Sequence, residues 1–354
     1  MSPTASAELT GLLRAQLAAL VAQGQTPGVV AVAVRGQDQA LCWAGRPARD
    51  AAFALDGQTR FEVGSLTKTF TGLLFAQMVG CGDVGYDDPI SAYLPTHALP
   101  RDAAARQITL VQLATHTAGL PRVPRNLYGW RILRHGWSDP YPAYRLVDLY
   151  RATSRLTPRD PPGGAARYST FGVALLGQLL ANATDQPYES LLTERVCRPL
   201  GLTATATATA TELLGETSPL RATGHRRGRP LPAWQLDALI SSGGLRCTGV
   251  ELLAYLDAHL KPESTALADA LRATHTPRAL TPTGMNAICL VWNHRVVDSR
   301  TLLWHTGGTR GFSTFLGFSP EAGAGVGVLA NSRTRDQAVI HAGRRLFKRV
   351  VFPP

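Results

Sequence analysis

Ser65 and Lys68, in the stretch FEVGSLTKTF (61–70), are the first pair in this chain whose types and spacing could do chemistry. A serine hydroxyl is a weak nucleophile until a nearby base takes its proton, and a desolvated lysine can be that base. At helical geometry residues three apart share a face, so the two side chains are expected to be neighbours at a helix start. There, free backbone N–H groups and the helix dipole favour developing negative charge. Composition singles out the lysine. Of 36 Lys plus Arg, only Lys68, Lys261 and Lys348 are lysine, leaving 33 arginines. Arginine keeps its proton near neutral pH, whereas a buried or crowded lysine can lose it. In a chain that otherwise prefers arginine, Lys68 is therefore expected to work as a proton acceptor. Two fixed positions in four recur by chance, so this pattern needs support from elsewhere in the chain.

The elements that must position the pair can be read from periodicity. Leu9, Leu12, Leu13, Leu17 and Leu20 lie near helical spacing in an amphipathic N-terminal helix. GVVAVAVRG (28–36) and QALCWAG (39–45) read as a hairpin. A helix beginning near Ser65 runs through LTKTFTGLLFAQMVG; its polar residues bunch at the start, and most of it should be buried. From about 105 to 235 the signals are mostly helical and broken by Pro and Gly, with STFGVALLGQLLANAT (169–184) the clearest piece. TATATATAT (203–211) formally alternates like a strand but equally fits an extended surface loop. The segments 285–297, 301–308, 311–320 and 323–332 are spaced as an antiparallel meander, and GRRLFKRVV closes the chain as a helix. The expected fold is α/β of the α+β type: an antiparallel sheet flanked by helices, with an inserted mainly helical domain. The sheet domain is expected over 1–85 and 235–354, and the insertion over 86–234.

Composition narrows the function classes. A hydrophobic fraction of 45% and a charged fraction of 17% are those of a globular protein. No apolar run approaches the roughly 18 residues of a membrane span, and the N-terminus lacks the pattern of a secretory signal, so a cytoplasmic location without membrane attachment is expected. Five cysteines, odd in number and never paired as C-x-x-C, fit reduced thiols. The formal charge of +11 raises nucleic acid as a partner, but the arginines are dispersed. The clusters HRRGR (225–229) and RRLFKR (344–349) belong to no nucleic-acid module and are expected to be solvated surface. GAGVGV lacks the dinucleotide fingerprint, no G-x-S-x-G elbow occurs, and no H-E-x-x-H or other ligand cluster is present. No metal or cofactor is expected.

Further along, RYSTFG (167–172) places Tyr168 just before the long helix, and TLLWHTGG (301–308) places His305 and Thr306 before a glycine pair on a strand. With these residues the chain resembles the serine β-lactamase and penicillin-binding protein superfamily, in its class C β-lactamase-like branch. The resemblance covers nearly the whole chain and keeps the family's order: FEVGSLTK, LATHTAGL, RYST, SSGGL and HTGGTRGFS. It implies that Ser65 is acylated, that Lys68 is its general-base partner and that Tyr168 shuttles protons. It also places His305 at the head of the third motif, an oxyanion hole at the backbone N–H groups of Ser65 and Gly308, and substrate contacts at Thr170, Thr306 and Gly307. His116, in LATHTAG, is expected to be a structural hydrogen-bonding residue beneath the site.

Two departures from the family pattern shape the expected substrate. Thr170 stands where the family usually has asparagine, which removes an amide that donates to an acylamino side chain. His305 stands where lysine is common, and a neutral histidine does not anchor a carboxylate. The expected activity is an esterase or biosynthetic transacylase on small-molecule or peptide acyl substrates, with neutral esters or thioesters preferred. The alternatives are a β-lactamase or D-amino-acid peptidase, and, from another class, an inactive binding or sensor module on the same fold. The sequence leaves the oligomeric state open.

Overall fold

The computed structural model describes residues 3–48, 50–51, 53–128, 141–207, 220–334 and 336–353. An eight-stranded antiparallel sheet carries the fold. Its strands are β1 (Gly28–Arg35), β2 (Asp38–Gly45), β3 (Ala279–Leu280), β4 (Ala287–Ile288), β5 (Asn293–Val297), β6 (Arg300–Gly308), β7 (Ser313–Ser319) and β8 (Ala324–Ala330), in the order β2-β1-β8-β7-β6-β5-β4-β3. The expected hairpin forms with Arg35 opposite Asp38, and Gly36 supplies the left-handed conformation, φ +61°, that its two-residue turn requires. The C-terminal meander docks on it through β8, with Val29 opposite Ala330. The sheet is thus built from both ends of the chain.

Both faces of the sheet are covered, which is why β1 reads as an unbroken apolar run rather than an alternating one. Val29, Ala31 and Ala33 face a layer formed by α1 (Pro3–Ala22) and the closing helix, with Leu9, Leu13, Leu17, Val339, Leu346 and Val350 buried in it. Val30, Val32 and Val34 face the larger core on the other side. That core surrounds α2 (Thr67–Gly80), which is buried on almost every side. Its polar first turns survive burial because each hydroxyl has a partner. Thr67 donates to the Gly64 carbonyl at 2.7 Å and Thr71 to the Ser241 carbonyl at 2.6 Å, while Thr69 donates to the Leu66 carbonyl at 2.8 Å.

The stretch between the two halves of the sheet holds α3 (Thr170–Thr184), several shorter helices, and small strands at Ala206–Thr207, Gly224–Arg226 and Arg229–Leu231. Of TATATATAT, Ala206 and Thr207 pair with the strand Leu245–Cys247; residues 208–211 lie outside the described residues. One expected strand breaks. Residues 285–297 do not run through: the chain turns at Cys289–Trp292, with Val291 at φ +63°. The turn puts Leu290, Val291 and Trp292 inside, where the Val291 N–H donates to the Ala114 carbonyl at 3.0 Å. Burying three large apolar side chains outweighs continuing a short ladder at the end of the sheet. Among the described residues no helix is long and apolar enough to cross a membrane.

Beneath that turn lies a histidine pair. His259, on α4 (Gly249–Leu260), and His275, ending α5 (Ala268–His275), share a hydrogen bond of 2.8 Å between Nδ1 and Nε2. Trp292 and Phe318 pack around them. Burial lowers both imidazole pKa values. His259 is pushed well below the usual value, with His275 adding to the effect, and His275 falls to about 4 although Glu321 opposes the shift. In the unfolded chain both protonate near about pH 6.5. The stability they contribute is therefore complete above that pH and is lost as pH falls from there toward about 4, at about 1.4 kcal/mol per pH unit for each group. The urea midpoint is expected to drop between about pH 7 and about pH 5 and to drop less in a His275→Gln variant; a flat profile would contradict neutral burial of the pair.

Candidate active site

The structure brings Ser65, Lys68, Tyr168 and His305 to one cleft. Ser65 lies in the 3₁₀ turn Gly64–Leu66 that precedes α2, rather than in the α-helix itself. Glycines let this turn rest on the end of β6. Gly64 is left-handed at φ +53°, and a Cβ on it would come within 2.7 Å of the Gly308 backbone. A Cβ on Gly307 would collide with the Val63 carbonyl oxygen and Thr314 Oγ1. Thr314 Oγ1 donates to that same Val63 carbonyl at 2.9 Å, tying β7 to the turn.

Lys68 is fully buried one helical turn along. Its Nζ lies 3.2 Å from Ser65 Oγ, donates to the Ser242 carbonyl at 2.5 Å, and stands 5.1 Å from the centre of the Tyr168 ring. Burial holds its pKa below the usual lysine value; Tyr168 opposes the shift and Arg122 adds to it. An uncharged Lys68 can accept the Ser65 proton, so the geometry suits a serine made nucleophilic by a neighbouring amine.

Tyr168 is held at the entry to α3 by that helix's cap. Ser169 Oγ accepts from the Gly172 N–H at 2.9 Å and donates to the Pro121 carbonyl at 2.7 Å. Burial pushes the Tyr168 phenol up, but Lys68, Ser65 and Arg122 outweigh it and hold the pKa below the usual tyrosine value. Lys68 and Ser65 both act on the phenol to favour its loss of a proton, an arrangement that suits proton transfer among the three.

Two histidines flank the tyrosine, with ring centres 4.8 Å away for His116 and 6.3 Å for His305. His116 Nδ1 accepts from the Ser169 N–H at 3.3 Å, the structural hydrogen bond expected of it. Burial and then Lys68 push both imidazole pKa values down to about 3, so both are neutral at pH 7. His305 Nδ1 has no hydrogen-bond partner among the described residues.

The cleft divides into two chambers. Thr170 lines the smaller, of about 270 Å³; Thr306 and Gly307 line the larger, of about 490 Å³; Ser65 and Gly308 line both. The structure adds residues that spacing did not point to. The Ser242 carbonyl, within SSGGL, receives Lys68. Arg122, Arg226 and Arg333 line the chambers; the arginines of HRRGR are exposed, as expected, and Arg226 among them faces the smaller chamber. Their only signal in the sequence is the general excess of arginine. Among the described residues, no group of three or more His, Cys, Asp or Glu could hold a metal ion.

This fold and cleft are those of a serine hydrolase of the β-lactamase type. The sequence model of the beta-lactamase family matches residues 13–349, and the chain belongs to that family. It is 28% identical over 303 residues to the D-alanyl-D-alanine-carboxypeptidase/endopeptidase AmpH of Escherichia coli (strain K12), covering 80% of this chain and 73% of the relative. It is likewise 28% identical over 319 residues to a beta-lactamase of Pseudomonas fluorescens, covering 80% and 82%. A third relative, the unguisins hydrolase ungD' of Aspergillus campestris (strain IBT 28561), is 26% identical over 297 residues, covering 77% of this chain and 53% of the relative.

The Lys68→Arg variant keeps the positive charge and removes the ability to deprotonate. Its kcat/KM is expected to fall by at least about 10²-fold, the loss typical of a missing general base. Near-normal turnover by the arginine variant would show that Lys68 acts only through its charge.

Proposed function

We propose that this enzyme transfers acyl groups through an acyl-Ser65 intermediate, as an esterase or biosynthetic transacylase. Ser65 Oγ attacks the acyl carbon of an ester or thioester, and its proton passes to Lys68 or, through Tyr168, to the leaving group. The bond from the acyl carbon to the leaving group breaks, and the leaving alcohol or thiol departs with that proton. Water, an amine or an alcohol then gives up a proton along the same path and takes the acyl group from Ser65. Backbone N–H groups of Ser65 and Gly308 stabilise the oxyanion in both halves. The observation that carries this reading is the 3.2 Å contact between Ser65 Oγ and a fully buried Lys68. An inactive binding module would have no use for an amine whose proton affinity burial has lowered.

Thr170 and His305 support an ester or thioester over a β-lactam, because neither the asparagine amide nor the third-motif lysine is present. The relatives favour a second reading, hydrolysis of D-alanyl-D-alanine peptides or β-lactams.

One panel separates the two. Intact-mass detection of adducts across matched esters, thioesters, D-Ala-D-Ala peptides and β-lactams is expected to give ester or thioester turnover through a Ser65 adduct. The Ser65→Ala variant should fold normally and lose every adduct, with turnover down by several orders of magnitude. An alanine variant with most of the wild-type rate would sink the mechanism. Acylation by the peptides or β-lactams alone would select the second reading.

A further inference from the structure

Among the described residues, both chambers of the cleft are lined by arginine and by no carboxylate. Arg122 and Arg333 reach both chambers, Arg226 and Arg310 the smaller and Arg344 the larger, while neither contains an Asp or Glu among its lining residues. The residues common to the two chambers are Ser65, Arg122, Gly308 and Arg333. Two guanidinium groups thus stand at the point where the chambers meet, beside the serine. Among the described residues, Arg122, Arg226 and Arg333 take part in no ion pair.

The backbone fixes where these arginines stand. The His225 N–H donates to the carbonyls of Gly311 and Asn331, at 3.0 and 2.9 Å, and the Arg333 N–H donates to the His225 carbonyl at 3.0 Å. This short ladder sets Arg226 and Arg333 side by side above the β6–β7 turn. On the opposite wall, the Arg122 carbonyl receives the N–H groups of Thr170 and Phe171, at 2.8 and 3.2 Å, and its guanidinium lies 5.2 Å from the centre of the Tyr168 ring. The Arg333 guanidinium covers Gly308, occupying the space a Cβ there would need.

These side chains keep part of their surface in water, so their mutual repulsion is screened but still leaves a positive potential over the cleft. Burial, Arg226 and Arg122 all disfavour the charged form of Arg333. An oxyanion relieves this repulsion and accepts paired N–H donors from each planar guanidinium, a geometry that suits phosphate and carboxylate.

We propose that the cleft recognises acyl substrates bearing a multiply charged oxyanionic group, a phosphate monoester or closely spaced carboxylates, held between Arg122, Arg226 and Arg333. The inference deepens the acyl-Ser65 reading and rests on it. It reverses the preference for neutral substrates drawn from His305. That histidine is neutral, as expected, but the anchoring charge is supplied by arginines remote from it in sequence.

The test is kcat/KM for a matched series of acyl esters that differ only in a terminal hydroxyl, monocarboxylate, dicarboxylate or phosphate. In wild type the phosphate or the dicarboxylate is expected to exceed the monocarboxylate by about tenfold and the hydroxyl by more, since a hydrogen bond to a charged group contributes about that much. Whichever of the two leads identifies the anion. In Arg226→Gln, Arg333→Gln and the double variant, the ratio of anionic to hydroxyl ester should fall stepwise. A hydroxyl ester as good as the rest, a monocarboxylate equal to the dianions, or a ratio that survives the double substitution would each overturn the proposal. The wild-type series decides the matter even if a variant fails to fold. An uncharged phosphonate ester that labels Ser65 in wild type keeps the two readings apart. Absence of that label would defeat the acyl-Ser65 reading, whereas a label with flat anion ratios would defeat only the arginine assignment.

Discussion

A lysine sealed from water next to a serine sets the constraint on which the rest of this structure depends. Taking an ammonium out of water costs several kcal/mol even after relaxation, and that cost is what makes the neutral amine accessible. The amine must nonetheless keep hydrogen-bond partners, because an orphaned buried donor destabilises the fold. The chain meets both demands with groups that carry no full negative charge: the Ser242 carbonyl, the Ser65 hydroxyl and the Tyr168 phenol. A carboxylate at that place would restore the proton's affinity and remove the base. Much of the surrounding architecture serves this seal. The hydroxyls of Thr67, Thr69 and Thr71 allow the polar start of α2 to be buried, and the glycines at 64 and 307 let the serine turn lie directly against β6.

Electrostatics in the cleft follow from the same burial. The two histidines nearest Tyr168 are neutral because they are desolvated and face Lys68, so they contribute shape, and His116 one hydrogen bond, rather than charge. Positive charge is carried by arginines at the rim, where partial solvation keeps guanidinium groups charged. On the proposed reading the site separates its two tasks in space: proton transfer falls to an inner group set by burial, and recognition of substrate charge to an outer group set by backbone pairing between 225, 311, 331 and 333. The family pattern places the anchoring cation on the third-motif strand, within the inner group. Here that position is neutral and the cations lie outside it.

Much of this was legible before any coordinates. The hairpin, the buried helix after Ser65, the long helix at 170–184 and the meander of the C-terminal third all have periods that a local reading can find, and the order of five short motifs is enough to place the chain in its family. The pairing of Ser65 with Lys68 is local as well, since three residues of helical chain bring the side chains together whatever the rest does. What only the tertiary structure decided depends on residues far apart in sequence. The break at Cys289–Trp292 occurs because α2 and the Phe318 cluster offer Leu290, Val291 and Trp292 a buried place. The His259–His275 bond needs two helices to meet, and the exposed arginines of HRRGR carry no local sign that Arg226 stands beside Arg333, more than a hundred residues on. Periodicity reports which face of one element is buried, but says nothing of which distant charges that burial gathers; the charge of this cleft was therefore decided by packing.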